Sequence, residues 1–466
     1  MPIAAHAAGW WNIDKGTASF GQGAASLADP RDPTAIMHNP AGLAGVKGLA
    51  VVVDADWIFD ARTFARASDD PIGSGTLTRY TSVANGWTPT LPSPALFASY
   101  NLERLGLGGL TVGGGVYGPP RVDHVWPKEG AQRYSEVEYH ALQMSMTLGA
   151  AYELPWYQLR LGVAGMLIRE TVDAGLNISG VFPPLAQPED PSYDAYVHVR
   201  AVDPWIPCGI VGISGALSPA LTIAASYQLP FDVHASGKAD QIALASGLAR
   251  LASVRGDQID ARMKLAAVIT VAATYRALKE RLALSLAFVH EGWHRNDTIL
   301  FQPKDIVMSD VSRGDTTLQE IKITSHWQDT FSVRGGAQYQ LLPDLLALRL
   351  GGFYEKGAVP EEYLSAFSLD LDKVGATLGA RLDLPLGIFV DVAAGYLYWL
   401  PVTVTNTNIK IVNPLTLPPS EQWPIANGDY SNHQVLAMLA VGVALGAAPA
   451  AAPLAVGGPN CCRERD

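Results

Sequence analysis

One string in the chain reads as metal chemistry. His290-Glu291-Gly292-Trp293-His294 has the letters of a zinc-hydrolase motif, in which two histidines one helical turn apart hold the ion and the glutamate acts as general base. That chemistry needs a helix. Here the string closes an alternating run, Leu282, Leu284, Leu286 and Phe288, and contains a glycine. On a strand, positions four apart share a face but lie roughly 13 Å from each other, too far to share one ion. Gly113-x-Gly115-x-x-Gly118 similarly mimics a dinucleotide-binding loop, but Pro119-Pro120 follows where a helix should begin. No metal, no cofactor and no catalytic residue is therefore expected, and no local sequence suggests a serine-histidine-aspartate triad.

The elements that must carry any function are strands. From Trp327 to Gln340 one face reads Gln328, Thr330, Ser332, Arg334, Gly336, Gln338, and the other Trp327, Asp329, Phe331, Val333, Ala337, Tyr339. A period of two with unlike faces is a β-strand. The same rhythm predicts fourteen strands, at 49–66, 95–102, 107–118, 133–153, 157–178, 206–217, 220–236, 261–277, 281–301, 325–341, 344–358, 373–384, 387–406 and 433–445. Short connections, such as Ser218-Pro219 and Leu342-Pro343, alternate with long ones, such as 179–205 and 237–260. Transmembrane barrels alternate in this way, with short periplasmic turns and long extracellular loops. The expectation is an all-β fold: a fourteen-stranded antiparallel transmembrane β-barrel spanning 48–445.

Composition agrees. Charged residues make up 17% of the 466 residues, against roughly 25% in soluble domains. No run of apolar residues is long enough for a transmembrane helix. Net charge is −11 and there is no basic run, so nucleic acid is not an expected partner. The three cysteines, Cys208, Cys461 and Cys462, form no spaced pair that would hold zinc or a disulfide framework. Apolar faces such as Leu142, Met144, Met146, Leu148 and Val374, Ala376, Leu378, Ala380 carry no charge, as lipid contact requires. Opposite faces, such as Gln143, Ser145, Thr147 and Lys373, Thr377, Arg381, suit a lumen. Tyr152, Trp156, Tyr339, Tyr396, Tyr398 and Trp399 sit near strand ends, where interfacial aromatics belong.

Residues 1–7 have the small-x-small form of a signal-peptide remnant, and 446–466 form an Ala/Pro-rich tail. Residues 8–47 do not alternate and are expected to plug the lumen, since a large barrel otherwise encloses a channel. Within them, Gly21-Gln22-Gly23-Ala24-Ala25, Asp32-Pro33-Thr34-Ala35 and above all Asn39-Pro40-Ala41-Gly42-Leu43 resemble the N-terminal hatch of the FadL/TodX family of outer-membrane transporters. Val116-Tyr117-Gly118-Pro119-Pro120, Trp327-Gln328-Asp329-Thr330-Phe331 and Val359-Pro360-Glu361 also resemble that family.

The resemblance implies passive uptake of hydrophobic molecules, long-chain fatty acids or hydrocarbons, across the outer membrane of a Gram-negative bacterium. It implies capture between extracellular loops, transfer to a pocket above the hatch, and lateral exit through a kinked third strand. Gly115, Gly118, Pro119 and Pro120 are the expected gate. Capture is expected from Phe182 and Leu185 on one loop. On another, Leu244, Leu248 and Leu251 are expected to form a helix stripe. A carboxylate head group in a desolvated lumen needs a cation, and the cations of lumen parity are Arg160, Lys264, Arg334, Arg349 and Arg381. Arg160 and Arg334 are the first choices, as apparent mid-strand residues. The alternative for these cations is a ladder of charge pairs bracing the wall. Expected partners are a hydrophobic ligand and outer-membrane lipid including lipopolysaccharide, with the barrel a monomer. A general diffusion porin or structural barrel is the alternative function, and a barrel enzyme the third.

Overall fold

The structure, a computed structural model, describes residues 16–446 apart from 71–74, 86–87, 90–91, 119–122, 141, 156–157, 181–188, 311–313 and 414–419. Phe182, Leu185, Pro119, Pro120, Trp156, the signal remnant and the tail cysteines lie outside the described residues.

Fourteen antiparallel strands close into one barrel. They are β1 (Leu49–Arg66), β2 (Ser93–Asn101), β3 (Leu110–Tyr117), β4 (Leu142–Glu153), β5 (Arg160–Ser179) and β6 (Asp194–Ser218). Then come β7 in two pieces (Leu221–Gln228, Phe231–Leu244) and β8 in two (Gln258–Leu265, Val268–Ala277). β9 (Leu282–Glu291, Thr298–Pro303) and β10 (Ile321–Thr324, Thr330–Leu342) are also broken. β11 (Leu346–Glu355), β12 (Lys373–Asp383), β13 (Ile388–Val404) and β14 (Gly428–Leu445) complete the circuit. Closure is by β1 on β14, in register from Leu49 opposite Leu445 to Arg66 opposite Gly428.

The faces are inside-out relative to a soluble protein. Leu148 is 77% exposed and Leu350 67%, whereas Arg334 is 2% and Asp391 1% exposed. Apolar chains therefore cover the outer wall, and charges are inside. Tyr152, Tyr339, Tyr396 and Tyr398 are exposed on the outer wall as expected. Trp399 is not: it is buried in the lumen, with Lys373 Nζ 4.3 Å above its ring.

Parity holds through the lower wall and fails higher up. β6 carries a register shift between Asp203 and Ile206. β7 breaks at Leu229-Pro230 and β8 at Ala266-Ala267. One extra residue moves every later side chain to the other face. Proline, with no N–H for the ladder, sits at two of these breaks (Pro204, Pro230). Above them Phe231, Val233, Ile259, Met263 and Leu265 turn inward and are buried. Lys264 is thereby exposed on the outer wall, so its expected lumen position is overturned.

Residues 16–47 fill the lower lumen. They form a short helix, α1 (Thr17–Phe20), and two 3-10 turns (Pro33–Met37, Pro40–Gly45). Asp32 and Asn39 cap these turns by accepting hydrogen bonds from the N–H groups of Thr34 and Ala41. The wall is built to receive them. A Cβ at Gly162 of β5 would overlap the Pro40–Ala41 peptide, and one at Gly212 of β6 would overlap the Asn39 side chain. Gly336 and Gly351 approach Gln22 in the same way. Thr17 donates through its N–H (3.0 Å) and its hydroxyl (2.7 Å) to Asp54 of β1. Asp29 pairs with Arg276 and Arg160. Asn39, Pro40, Ala41, Gly42 and Leu43 are all buried in this seat.

Gly162→Val should force the hatch off its seat, at a cost of about 1–3 kcal/mol for overpacking. Small-ion conductance in planar bilayers is expected to rise while the heat-modifiable mobility of a folded barrel is retained. Wild-type conductance in the variant would show that this contact does not hold the plug.

Candidate functional site in the lumen

Above the hatch the lumen has a charged middle and an apolar top. In the middle, Asp60 of β1 accepts hydrogen bonds from Arg62 (2.8 Å), Asn432 (3.0 Å) and Gln434 (2.6 Å). His124 lies 2.9 Å from Glu136, which also accepts from the Trp126 indole (3.3 Å). Across the lumen, Glu355 of β11 faces both Lys373 (3.3 Å) and Arg334 (3.5 Å), and Lys373 also reaches Asp370 at 2.9 Å. Neither ion of such a buried cluster survives loss of its partner cheaply, which makes this layer a brace across strands.

Four of the expected cations are thus already engaged with carboxylates. Arg334 is mid-strand and faces the lumen, but its partners are Glu355 and the Ser332 hydroxyl (2.7 Å). Arg349 and Arg381 both pair with Asp391, lower down beside the hatch. Arg160 is not mid-strand: it opens β5 at the turn end and pairs with Glu153 (3.0 Å) and Asp29 (3.6 Å). It anchors the plug from below. All four thus stand in a ladder of charge pairs along the wall.

The apolar top arises where the parity shifts turn hydrophobic chains inward. A cavity of about 140 Å³ is lined by Ile178, Val197, Val199, Ile259, Phe301, Ile306, Leu318, Ile321, Ile323 and Phe367. Lys322 and Lys410 are its lining cations. Tyr134, Ser135, Asn177, Thr324, Ser365 and Asn408 add polar groups to the lining, and a largely apolar cavity of this volume is the size of a benzene-like guest. A neighbouring apolar pocket shares Ile178, Val197, Ile306 and Leu318, and adds Leu244 and Leu248. The expected helix stripe does not form. Leu244 ends β7, Leu248 lies in a single turn, Ser246–Ala249, and a short strand starts at Ala252. Leu251 follows that turn, its N–H donating to Leu248. β6 begins twelve residues earlier than expected, at Asp194 rather than at 206, so much of the loop expected there is wall.

Several lining residues escaped the sequence reading. Phe301, Ile306, Leu318, Ile321 and Ile323 fall at the end of the ninth expected strand or in the loop after it. The short alternation Ile321-Lys322-Ile323 was the available signal. At the expected gate, a Cβ on Gly115 would strike the Phe97 ring and one on Gly118 the Gln143 carbonyl. β3 keeps its ladder to Leu96 on one side and to Ser145 on the other, and ends at Tyr117.

A hatch seated in a fourteen-strand barrel beneath an apolar chamber agrees with the family comparison. Residues 4–422 match the model of the outer membrane protein transport family OMPP1/FadL/TodX. The chain belongs to that family. It is an outer-membrane protein of the Gram-negative envelope, in a family that transports hydrophobic compounds. Among solved structures it resembles a Pseudomonas aeruginosa FadL homologue, with a TM-score of 0.77 at 14% identity over 94% of this chain and 100% of that one. The P. putida toluene transporter TodX gives 0.64 at 14% identity, over 92% and 98%. The Ralstonia pickettii toluene transporter TbuX gives 0.61 at 14% identity, over 92% and 98%. At such identities the likeness shows the fold. No curated protein matches the chain.

On the extracellular side of this FadL/TodX-type barrel, His140 Nδ1 lies 3.0 Å from Asp123, tying the two ends of one loop. The hydrogen bond to Asp123 raises the His140 pKa above its ordinary 6.5. The tie is therefore fully present below the unfolded value and is lost as pH rises through the raised folded one. Hydrogen exchange across 123–140, corrected for intrinsic rate, should quicken as pH rises from the ordinary histidine value through the raised folded one. His140→Gln should remove that step; an unchanged step would assign it elsewhere.

Proposed function

We propose that the chain imports hydrophobic molecules, fatty acids or hydrocarbons, down their own gradient as a monomeric barrel set in lipid that includes lipopolysaccharide. The observation that carries this reading is the apolar cavity above a hatch-filled lower lumen. A diffusion porin needs an open water column, and the seat formed by Gly162 and Gly212 argues against one. A guest enters through the extracellular pocket at Leu244 and Leu248, rests against Phe301 and Phe367, and leaves sideways where β3 ends, at Gly115 to Gly118. Phe182, Leu185 and Leu251 are proposed to add apolar surface at the entrance, and Pro119-Pro120 to end the gate strand. No step makes or breaks a covalent bond.

An acidic head group in the cavity would meet the cations on the cavity lining itself. Lys322 and Lys410 are exposed on the cavity lining, where Lys322 also pairs with Glu320 at 3.3 Å, whereas Arg334, Arg349 and Arg381 lie against carboxylates of the wall outside that lining. We assign the head-group role to those lysines.

Binding of a fluorescent long-chain fatty acid and of a neutral alkylbenzene separates these claims. Ile259→Trp should fill the cavity and weaken both ligands by about tenfold or more, the equivalent of losing roughly one buried ring contact. Lys322→Gln with Lys410→Gln should weaken the acid alone. Undiminished binding of both ligands in Ile259→Trp would contradict the cavity assignment.

A further inference from the structure

The parity shift that removes Lys264 from the lumen gives it a place on the outer wall, and it does not stand there alone. Arg262 and His234 are exposed on the same face. In register, His234 lies opposite Arg262, and Lys264 lies opposite Asp232. Asp232 is taken by Arg295 (3.0 Å), Asp260 by Lys304 (2.7 Å) and Glu320 by Lys322 (3.3 Å), while Asp203 accepts a hydrogen bond from the backbone N–H of His234 (2.7 Å). His234, Arg262 and Lys264 make no ion pair with a described residue. Arg262 and Lys264, two residues apart on one face of β8, thus present two cations outward, with His234 beside Arg262 across the ladder.

What lies below the cluster says which anion. Along β7 and β8 the next outward chains are Leu229 and Ile269, exposed and apolar, where the lipid-facing belt begins. Lower on the same wall the belt deepens into an apolar groove. Its sides are Ile213, Ile223, Val271 and Phe288, and its floor is the small residues Gly215 and Ala225. Cations directly above acyl-chain surface fit a molecule with a charged head and a hydrocarbon tail. The cluster sits on the end away from the short turns, which in this family's barrels faces the outside.

We propose that His234, Arg262 and Lys264 form a docking site for the phosphorylated head group of an outer-leaflet glycolipid, whose acyl chains lie down the β6–β9 wall. The inference rests on the outer-membrane location and is independent of what the lumen carries. Bound lipid would hold the extracellular pieces of β7 and β8 together from outside, at the level where their inner faces line the apolar top of the lumen.

The test is native mass spectrometry of the full chain in detergent. The probes are a bis-phosphorylated acylated disaccharide, the same lipid without phosphates, and inorganic phosphate. The wild type should retain one phosphorylated lipid, and retain its dephosphorylated counterpart at least about tenfold less, as expected when two cations face the charge. Arg262→Gln with Lys264→Gln, both exposed, should lose that preference. Lys238→Gln, which breaks a surface pair with Asp257 higher on β7, should keep it. Heat-modifiable mobility verifies folding of each variant, and fatty-acid binding in the lumen should be unchanged. Equal retention of the two lipids by the wild type, or no effect of the double variant, would overturn the proposal. Displacement by millimolar inorganic phosphate would overturn it in favour of a free-anion site.

Discussion

In hydrocarbon a backbone N–H or C=O left without a partner costs several kcal/mol, so a sheet can cross a membrane only if it has no edge. The ladder joining β1 to β14 meets that demand along the whole of both strands. Everything else follows from closure. A closed fourteen-strand wall encloses a lumen wide enough to conduct water, and that lumen must be filled. Residues 16–47 fill its lower part, and wall glycines at 162, 212, 336 and 351 let backbone meet backbone there. The charges that cannot face lipid turn inward, and a buried charge needs a counter-charge. Hence the pairs around Asp391, Glu355 and Asp60.

The same pairs place the residues best suited by type to hold a carboxylate against carboxylates of the wall. An arginine on a lumen-facing position was legible; its partner was not, because Glu355 and Arg334 are brought together by the register of β10 on β11. Sequence parity places a side chain on a face and says nothing of which neighbour across the ladder reaches it.

Most of the lower wall was legible, because period two persists there without interruption. Thr330, Ser332, Arg334 and Gln338 are inward, and Val333 and Tyr339 outward, as their alternation implies. The reading failed above Leu229 and Ala266, where single-residue shifts invert the faces. Pro204 and Pro230 were the visible warnings, since a proline in a strand marks a break or bulge. Trp327 and Gln328 are likewise inverted: Trp327 is buried against Trp293 and Gln328 exposed, because β10 is interrupted before Thr330. The leucines at 244, 248 and 251 match a helical spacing, but a run that short fits a strand end followed by one turn equally well. The Asn39–Leu43 run carried the most information per residue. It is a capped turn whose fit depends on wall glycines far away in sequence.

The central claim is a closed hatch beneath a largely apolar chamber. A crystal structure of the full chain soaked with a bromine-labelled alkylbenzene tests it directly. The account predicts an anomalous bromine peak among Ile259, Phe301 and Phe367, with Asn39 to Leu43 still seated against Gly162 and Gly212. A continuous column of ordered water through the lumen, with no bromine above the hatch, would contradict it.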